Sequence, residues 1–68
     1  MTISNKVGEK IRQLRQEKGL KQEEFAELAG IDYSYLNQLE NGKRNPTVEM
    51  LDKIAKALDT TPENLLSF

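Results

Sequence analysis

The chain has 68 residues, a formal net charge of -1, and neither cysteine nor histidine. These features exclude disulfides, thiol nucleophiles, zinc ribbons and the usual neutral-pH general base, so we expect no enzyme, metal or cofactor. A chain of this size buries only about 60% of its unfolded surface, which predicts one small domain over residues 1–68. No apolar run is long enough for a signal-sequence core or a membrane span, and we therefore expect a soluble, cytoplasmic protein with no membrane partner.

The charge is unevenly distributed along the chain. Residues 1–21 carry six cations and two acids (+4), residues 22–32 carry four acids (-4), residues 33–48 give +1 and residues 49–68 give -2. The net charge argues against a nucleic-acid partner, for which a basic surface is the usual sign. The uneven distribution nevertheless leaves basic segments that could bind a nucleic acid.

Five helical segments are predicted, and nothing alternates with a period of two, so an all-α fold is expected. The first helix runs from about Ser4, as its N-cap, to Lys18 and ends at Gly19. The second runs from about Gln22 to Ala29 and meets Gly30. The apolar residues predicted to face the core from these two helices are Val7, Ile11, Leu14, Phe25, Leu28 and Ala29.

The third helix is predicted from Tyr33 to about Asn41, ending before Gly42, and a short fifth one begins with Pro62. The third, fourth and fifth helices each have a side chain that can cap the N-terminus: Asp32, Thr47 and Thr61. Their apolar residues are Leu36 and Leu39, then Val48, Leu51, Ile54, Ala55 and Leu58, and finally Leu65, Leu66 and Phe68.

The stretch QEEFAELAGIDYSYLNQLE has the spacing of a bihelical DNA-reading unit. Two short helices that cross at one tight turn need a small residue where they approach and a glycine at the turn. Ala26 supplies the first and Gly30 the second. The apolar wedge between the helices would consist of Phe25, Ala29, Ile31, Leu36 and Leu39. The spacing therefore indicates a helix-turn-helix unit at about residues 22–41.

With these residues, the chain resembles the helix-turn-helix (XRE-like) family of phage repressors and Cro proteins from about Val7 to Leu66. The segment KIRQLRQEKGLKQEEFA is similar to the first two helices of that family, and LENGKRNPTVEMLDKIAKAL is similar to its third helix end, loop and fourth helix. The resemblance implies a compact five-helix, lambda-repressor-like domain. Within the family, controller proteins of restriction-modification systems and short phage or plasmid repressors resemble the chain most in length and in the RNP loop.

The outward face of the third helix is rich in amides. If Leu36 and Leu39 define the buried direction, a rotation of about 100° per residue turns four polar side chains to within about 50° of straight outward. They are Ser34, Asn37, Gln38 and Asn41. Amides can pair bidentately with adenine in a major groove, and hydroxyls can meet other base edges. A polar outer face is also what any soluble helix shows, and only the helix-turn-helix frame favours base reading.

The resemblance implies that Tyr33, Ser34 and Gln38 read bases most often, with Asn37 and Tyr35 as auxiliaries. Either tyrosine ring could instead lie over the rim of the small core. The predicted base-reading residues are thus Tyr33, Ser34, Asn37 and Gln38. The predicted contacts with the DNA backbone are Lys21, Gln22, Tyr35, Asn41, Lys43, Arg44, Asn45 and Thr47.

Lys21 departs from the family pattern, which places Ser, Thr or Asn there to cap the second helix. The lost cap is worth about 1 kcal/mol. A nearby phosphate would explain a cation at this point, and Gln22 resembles the phosphate-binding glutamine of the family. An exposed lysine without consequence is the equally weighted alternative.

Lys43, Arg44 and Asn45 lie in a loop that in the family runs along the sugar-phosphate backbone. Two cations beside Gly42 also suit the C-terminus of a helix electrostatically, and both roles are compatible. Thr47 then begins the fourth helix, whose first N-H groups form a further anion site.

Glu40 is the one acid in the stretch YSYLNQLENGKRNP, from Tyr33 to Pro46. Such a stretch excludes acids if it lies against a polyanion, so this carboxylate should be neutralised. The resemblance implies a partly buried salt bridge between Arg15, on the first helix, and Glu40.

Two functions remain open at this point. The first is a sequence-specific, double-stranded DNA-binding transcriptional regulator, most simply a repressor, that binds an inverted-repeat operator as a homodimer. The second is an antitoxin or adaptor that uses the same fold for protein-protein interaction. The candidate dimer contacts are Leu66 and Phe68, whereas Leu65 is expected to fold back on its own core.

Overall fold

Five helices make up most of the computed structural model, which describes residues 2–68. Their bounds are Ile3–Glu17 (α1), Gln22–Ala29 (α2), Tyr33–Glu40 (α3), Val48–Ala57 (α4) and Pro62–Leu65 (α5). Residues 2–68 contain no strand, and the predicted all-α, five-helix fold is confirmed. No helix in this range is both long enough and apolar enough to cross a membrane.

The helices begin where side-chain oxygens can accept from free N-H groups. Asp32, Thr47 and Thr61 cap α3, α4 and α5 as predicted, each accepting from the N-H three residues further on. The N-cap predicted at Ser4 is wrong, because Thr2 accepts from the Asn5 N-H and α1 begins at Ile3. Since the Ile3 side chain is exposed, the apolar stripe gave no signal for this first turn.

The core lies where α1 packs on α3, α2 packs on both α3 and α4, and α5 closes against α4 and α1. Its largest fully buried side chains come from all five helices: Ile11, Phe25, Leu36, Leu39, Ile54 and Leu65. Leu14, Leu20, Ala29, Ile31, Tyr35 and Ala57 pack around them, partly buried. The predicted wedge therefore lies between α2 and α3, with Ala29 and Ile31 at its edge.

Leu28, which was predicted to face the core, is exposed, and so is Val48 at the start of α4. Leu28 is 61% exposed because the space between α2 and α4 beside it is an open groove. Val48 is 81% exposed because it is the first residue of α4, ahead of the turn in which Leu51 becomes buried. Helical periodicity shows on which face of its helix a residue lies, but it does not show how far the neighbouring helix extends over that face.

The turn between α2 and α3 has the tight geometry that the sequence predicts. Gly30 adopts φ +71°, in the left-handed region that other residues avoid, and ends α2. The N-H of Ile31 donates to the carbonyl of Ala26 at 3.0 Å, which folds the chain back at once. Ala26 is buried, so the small side chain lies where the helices approach.

A second close approach, between α1 and α3, depends on Gly8. A Cβ atom at this position would lie 2.2 Å from the carbonyl oxygen of Leu39, closer than any real contact. A glycine inside a helix costs about 1 kcal/mol relative to alanine, so its presence in α1 was the available signal. The approach brings the N-terminal half of α1 against the C-terminal end of α3.

Candidate nucleic-acid interface

The N-terminal end of α3 presents free side chains. Asp32 caps the helix through the N-H of Tyr35 at 3.3 Å, which fixes the direction in which the first turn leaves the loop. Tyr33 and Ser34 in that turn are exposed, and within residues 2–68 their side chains form no hydrogen bond. Both are therefore available to a ligand lying along α3.

The amides in the middle of α3 are half-buried, because each is engaged with a neighbouring element. Asn37 donates from Nδ2 to Oε1 of Gln22 on α2 at 3.1 Å. Gln38 accepts at Oε1 from Nε of Arg44 at 2.6 Å. These two side chains are positioned by partners that the helical pattern did not reveal.

Arg44 also stacks over the ring of Tyr35, with 5.4 Å from the guanidinium carbon to the ring centroid. Tyr35 is half-buried and packs against the core, so its ring lies over the rim, one of the two positions considered for the tyrosines. A cation over an aromatic face is attracted by the ring quadrupole. Arg44 therefore joins the loop to α3 as well as carrying charge.

Hydrogen bonds hold the loop that follows α3 at its start, at Lys43, and near its end, at Asn45 and Thr47. The N-H of Lys43 donates to the carbonyl of Gln38 at 2.9 Å, and the Lys43 side chain is exposed. The Ser4 hydroxyl donates to Oδ1 of Asn45, which ties the loop to α1. The Thr47 hydroxyl accepts from the Met50 N-H at 3.1 Å, so its own O-H remains available as a donor.

Lys21 precedes α2 and offers no side-chain cap. The carboxylate of Glu24 accepts instead from the Lys21 N-H at 2.8 Å and partly replaces the missing cap. The side chain of Lys21 is exposed, whereas Gln22 is half-buried and donates from Nε2 to Oε1 of Glu40 at 3.0 Å. A primary amide has two N-H groups, so Gln22 keeps one for a phosphate.

The expected ion pair between Arg15 and Glu40 is present and buried. Arg15 binds the carboxylate bidentately, with Nε 2.7 Å from Oε2 and Nη2 2.9 Å from Oε1. Its remaining Nη1 donates to the carbonyl of Leu20 at 2.6 Å. The Glu40 side chain is 0% exposed and that of Arg15 is 9% exposed, so neither charge is left to solvent. The one acid between residues 33 and 48 is thus neutralised.

Arg12 is a member of this site that sequence reasoning missed. Its Nε lies 3.5 Å from Oε1 of Glu40, and its Nη2 donates to Oδ1 of Asn41 at 3.2 Å. Arg12 and Arg15 are three residues apart on α1 and therefore share a face. That spacing was the signal that could have identified Arg12.

Comparison with known proteins places this arrangement in a family. A family model described as Helix-turn-helix (HTH_3) matches residues 11–65, which include α2 and α3. The chain belongs to this helix-turn-helix family. Its resemblance to the phage-repressor type, inferred from sequence, is therefore confirmed.

Two relatives match nearly the whole of this chain. One is an uncharacterized HTH-type transcriptional regulator, y4dJ, from Sinorhizobium fredii, 42% identical over 67 residues that cover 98% of this chain and 87% of the relative. The other is the restriction-modification controller protein C.AhdI from Aeromonas hydrophila, whose crystal structure matches with a TM-score of 0.87 and 44% identity. That match covers 91% of this chain and 94% of C.AhdI.

A third relative, SinR, has been solved in complex with DNA. That structure matches with a TM-score of 0.84 and 40% identity, over 90% of this chain and 98% of the solved chain. SinR from Bacillus subtilis is 41% identical, and the match covers 88% of this chain but only 55% of SinR. The present chain thus spans about half the length of that relative.

Proposed function

We propose that this chain is a sequence-specific, double-stranded DNA-binding transcriptional regulator that reads the major groove with α3. Repression by occlusion is the simplest mode, because a domain lying on a promoter excludes other proteins from it. The proposal is supported by membership of the helix-turn-helix family and by similarity to SinR, which has been solved in complex with DNA.

The observation that carries this proposal is the charge and polarity of the surface around α3. Tyr33 and Ser34 are exposed at one end of the helix, and the exposed cations Lys43 and Arg44 follow the other end. The only acid from residue 33 to residue 48, Glu40, is buried against arginine. Residues 33–48 thus present donors and cations without an exposed carboxylate, which suits base edges flanked by phosphates.

DNA selection from a random duplex pool, followed by titration at two salt concentrations, tests the proposal. We expect one enriched sequence, and log affinity should fall against log salt by about 0.9 for each neutralised phosphate. An adaptor or antitoxin that binds only protein would select no duplex and show no such slope. That result would overturn the proposal.

The roles of individual residues can be separated with a matched pair of variants. Gln38→Ala should relax the choice at one base pair, whereas Lys43→Ala should weaken binding to all duplexes and reduce the salt slope by about one unit. Lys43 is preferable to Arg44 for this purpose. Arg44 also binds Gln38, so its replacement would change the base preference and the salt slope together. Equal, sequence-independent losses in the two variants would contradict the assigned roles.

We also propose that the chain binds DNA as a homodimer on half-sites of an inverted repeat about 34 Å apart. One domain contacts too few base pairs for genomic specificity. Leu66 and Phe68 are 46% and 61% exposed at the C-terminal end, away from the fully buried Leu65. Exposed apolar groups at one end of the molecule are suited to an interface between two copies.

Sedimentation equilibrium with and without operator DNA tests the dimer. Phe68→Ser should lower the dimer population and weaken binding to the full inverted repeat more than binding to one half-site. Leu28→Ser provides the control, since Leu28 is also 61% exposed but lies on α2. A wild-type chain that remains monomeric on the full repeat would contradict this proposal.

A further inference from the structure

Five side chains from α1, α2, α3 and its C-terminal cap form a closed ring of polar contacts. Three amides lie in series: Asn41 Nδ2 is 3.2 Å from Asn37 Oδ1, Asn37 Nδ2 is 3.1 Å from Gln22 Oε1, and Gln22 Nε2 is 3.0 Å from Glu40 Oε1. Arg12 closes the ring, since it contacts Glu40 at 3.5 Å and Asn41 Oδ1 at 3.2 Å. We refer to Asn41, Asn37 and Gln22 as the amide chain.

The two ends of the amide chain allow only one direction of hydrogen bonding. An ionised carboxylate can only accept and a guanidinium can only donate. Glu40 therefore requires the NH2 group of Gln22, which turns the Gln22 carbonyl towards Asn37. At the other end, Arg12 requires the carbonyl of Asn41. If any amide were reversed, two donors or two acceptors would face each other.

This direction determines what each amide has left to offer. Asn37 uses one N-H on Gln22 and one Oδ1 lone pair on Asn41, so one N-H donor and one acceptor lone pair remain on the same group. Asn41 donates to both the carbonyl and Oδ1 of Asn37, at 2.9 and 3.2 Å. A phosphate contact by the Asn41 amide would require one of these bonds to break.

We propose that Glu40 and Arg12 are positioning residues that fix the Asn37 amide in one orientation through the amide chain, so that α3 offers a donor beside an acceptor to adenine. Adenine is read in the major groove by a donor to N7 and an acceptor from N6. This inference rests on the proposed DNA-binding function and assigns Asn37 a leading rather than an auxiliary role.

The experiment compares base preference in selected duplexes for variants at different points of the ring. Asn37→Ala removes the reading group and should relax one base pair by about 10- to 100-fold, the usual worth of a bidentate pair. Gln22→Met and Arg12→Met leave that group in place and should relax the same base pair by about 3- to 10-fold. Gln16→Met is the control, because Gln16 is exposed on α1 and forms no side-chain hydrogen bond within residues 2–68.

General losses of affinity are expected for Gln22→Met and Arg12→Met in addition, because Gln22 is itself a predicted phosphate contact and Arg12 binds Asn41, which is another. Only the shared, position-specific change supports positioning. If both variants kept the wild-type preference at the Asn37 base pair, or relaxed different base pairs, the proposal would be overturned.

A measurement on the free protein separates this proposal from the proposed function. The side-chain amide signals of Asn37 in a 1H-15N spectrum should shift in Gln22→Met and in Arg12→Met, and should not shift in Gln16→Met. Unchanged Asn37 signals in both ring variants would refute the amide chain. If the signals shift but the wild-type protein selects no duplex, the DNA-binding function is what fails.

Discussion

The junction of α1 with α3 and the end formed by α4 and α5 are stabilised in different ways. At the junction, a fully buried carboxylate, a buried guanidinium and three amides are each satisfied by a named partner. At the α4–α5 end, Leu51, Ile54, Leu58 and Leu65 pack by apolar contact. The same end leaves Leu66 and Phe68 exposed.

This difference determines how each region responds to substitution. Polar groups in a poorly solvated place are directional, so the loss of one partner leaves the other unsatisfied. Apolar contacts are not directional, and the free-energy cost of losing them scales with the surface and volume removed. The junction should therefore be sensitive at its buried polar members, Glu40 and Arg15, whereas the α4–α5 end should be sensitive only at its buried apolar residues.

The largest expected effect is that of Glu40→Ala. Loss of this carboxylate leaves Arg15 buried without its counter-ion, which should lower the free energy of unfolding by about 3–5 kcal/mol. Urea unfolding followed by circular dichroism measures the change. Asp52→Ala is the control, since Asp52 pairs with Lys56 on the surface at 3.0 Å and should change stability by about 0.5 kcal/mol or less. Similar losses in both variants would contradict the comparison.

Leu65→Ala should have the next largest effect. The side chain is fully buried, so its truncation should cost about 3 kcal/mol from lost transfer energy and a residual cavity. Leu66→Ala, on the exposed neighbour, should stay within about 0.5 kcal/mol in the same unfolding experiment. A stable Leu65→Ala variant would mean that α5 contributes little to the core.

Gly8→Ala tests the close approach on which the polar junction depends. The added Cβ would meet the Leu39 carbonyl, and overpacking of this kind should cost about 1–3 kcal/mol despite the better helix propensity of alanine. Gln16→Ala, at an exposed site in the same helix, should be nearly neutral. Thermal unfolding distinguishes them, and a more stable Gly8→Ala variant would show that α1 can shift without loss.

The smallest expected effect is that of Lys21→Ser, at the edge of the junction. A hydroxyl at this N-cap should raise stability by about 0.5–1 kcal/mol, because it can accept from an N-H that the lysine leaves unpaired. Thermal unfolding measures this gain. If Lys21 also contacts a phosphate, the salt slope of DNA binding should flatten by about 0.9. An unchanged slope would favour the alternative of a lysine without a role in binding.

Much of the fold could be predicted because helix signals are local. The bounds of α2 match their prediction, and the caps at Asp32, Thr47 and Thr61 lie where short-range hydrogen bonding favours them. α1 was misplaced at its start because Thr2 and Ser4 can both cap a helix, and Ile3 between them is exposed and therefore outside the buried stripe. Leu28 was misassigned because its helix face meets an open groove.

The candidate site was predictable in its residue types rather than in its connections. The amide-rich face of α3 follows from the buried directions of Leu36 and Leu39 alone. The contact of Arg44 with Gln38 and the stacking on Tyr35 do not, because the course of a loop depends on tertiary packing. Resemblance to a family supplied the pairing of Arg15 with Glu40, but it did not supply Arg12.

The sequence by itself determined the five helices, the glycine turn and the polar face of α3, because capping, backbone freedom and helical periodicity act within a few residues. Only the tertiary structure decided that Arg12, Gln22 and Asn37 share one ring with a buried carboxylate. Those side chains are separated by up to 28 residues along the chain, from Arg12 to Glu40, whereas their polar contacts act over only a few ångströms. Such contacts exist only once Gly8 has allowed α1 to approach α3.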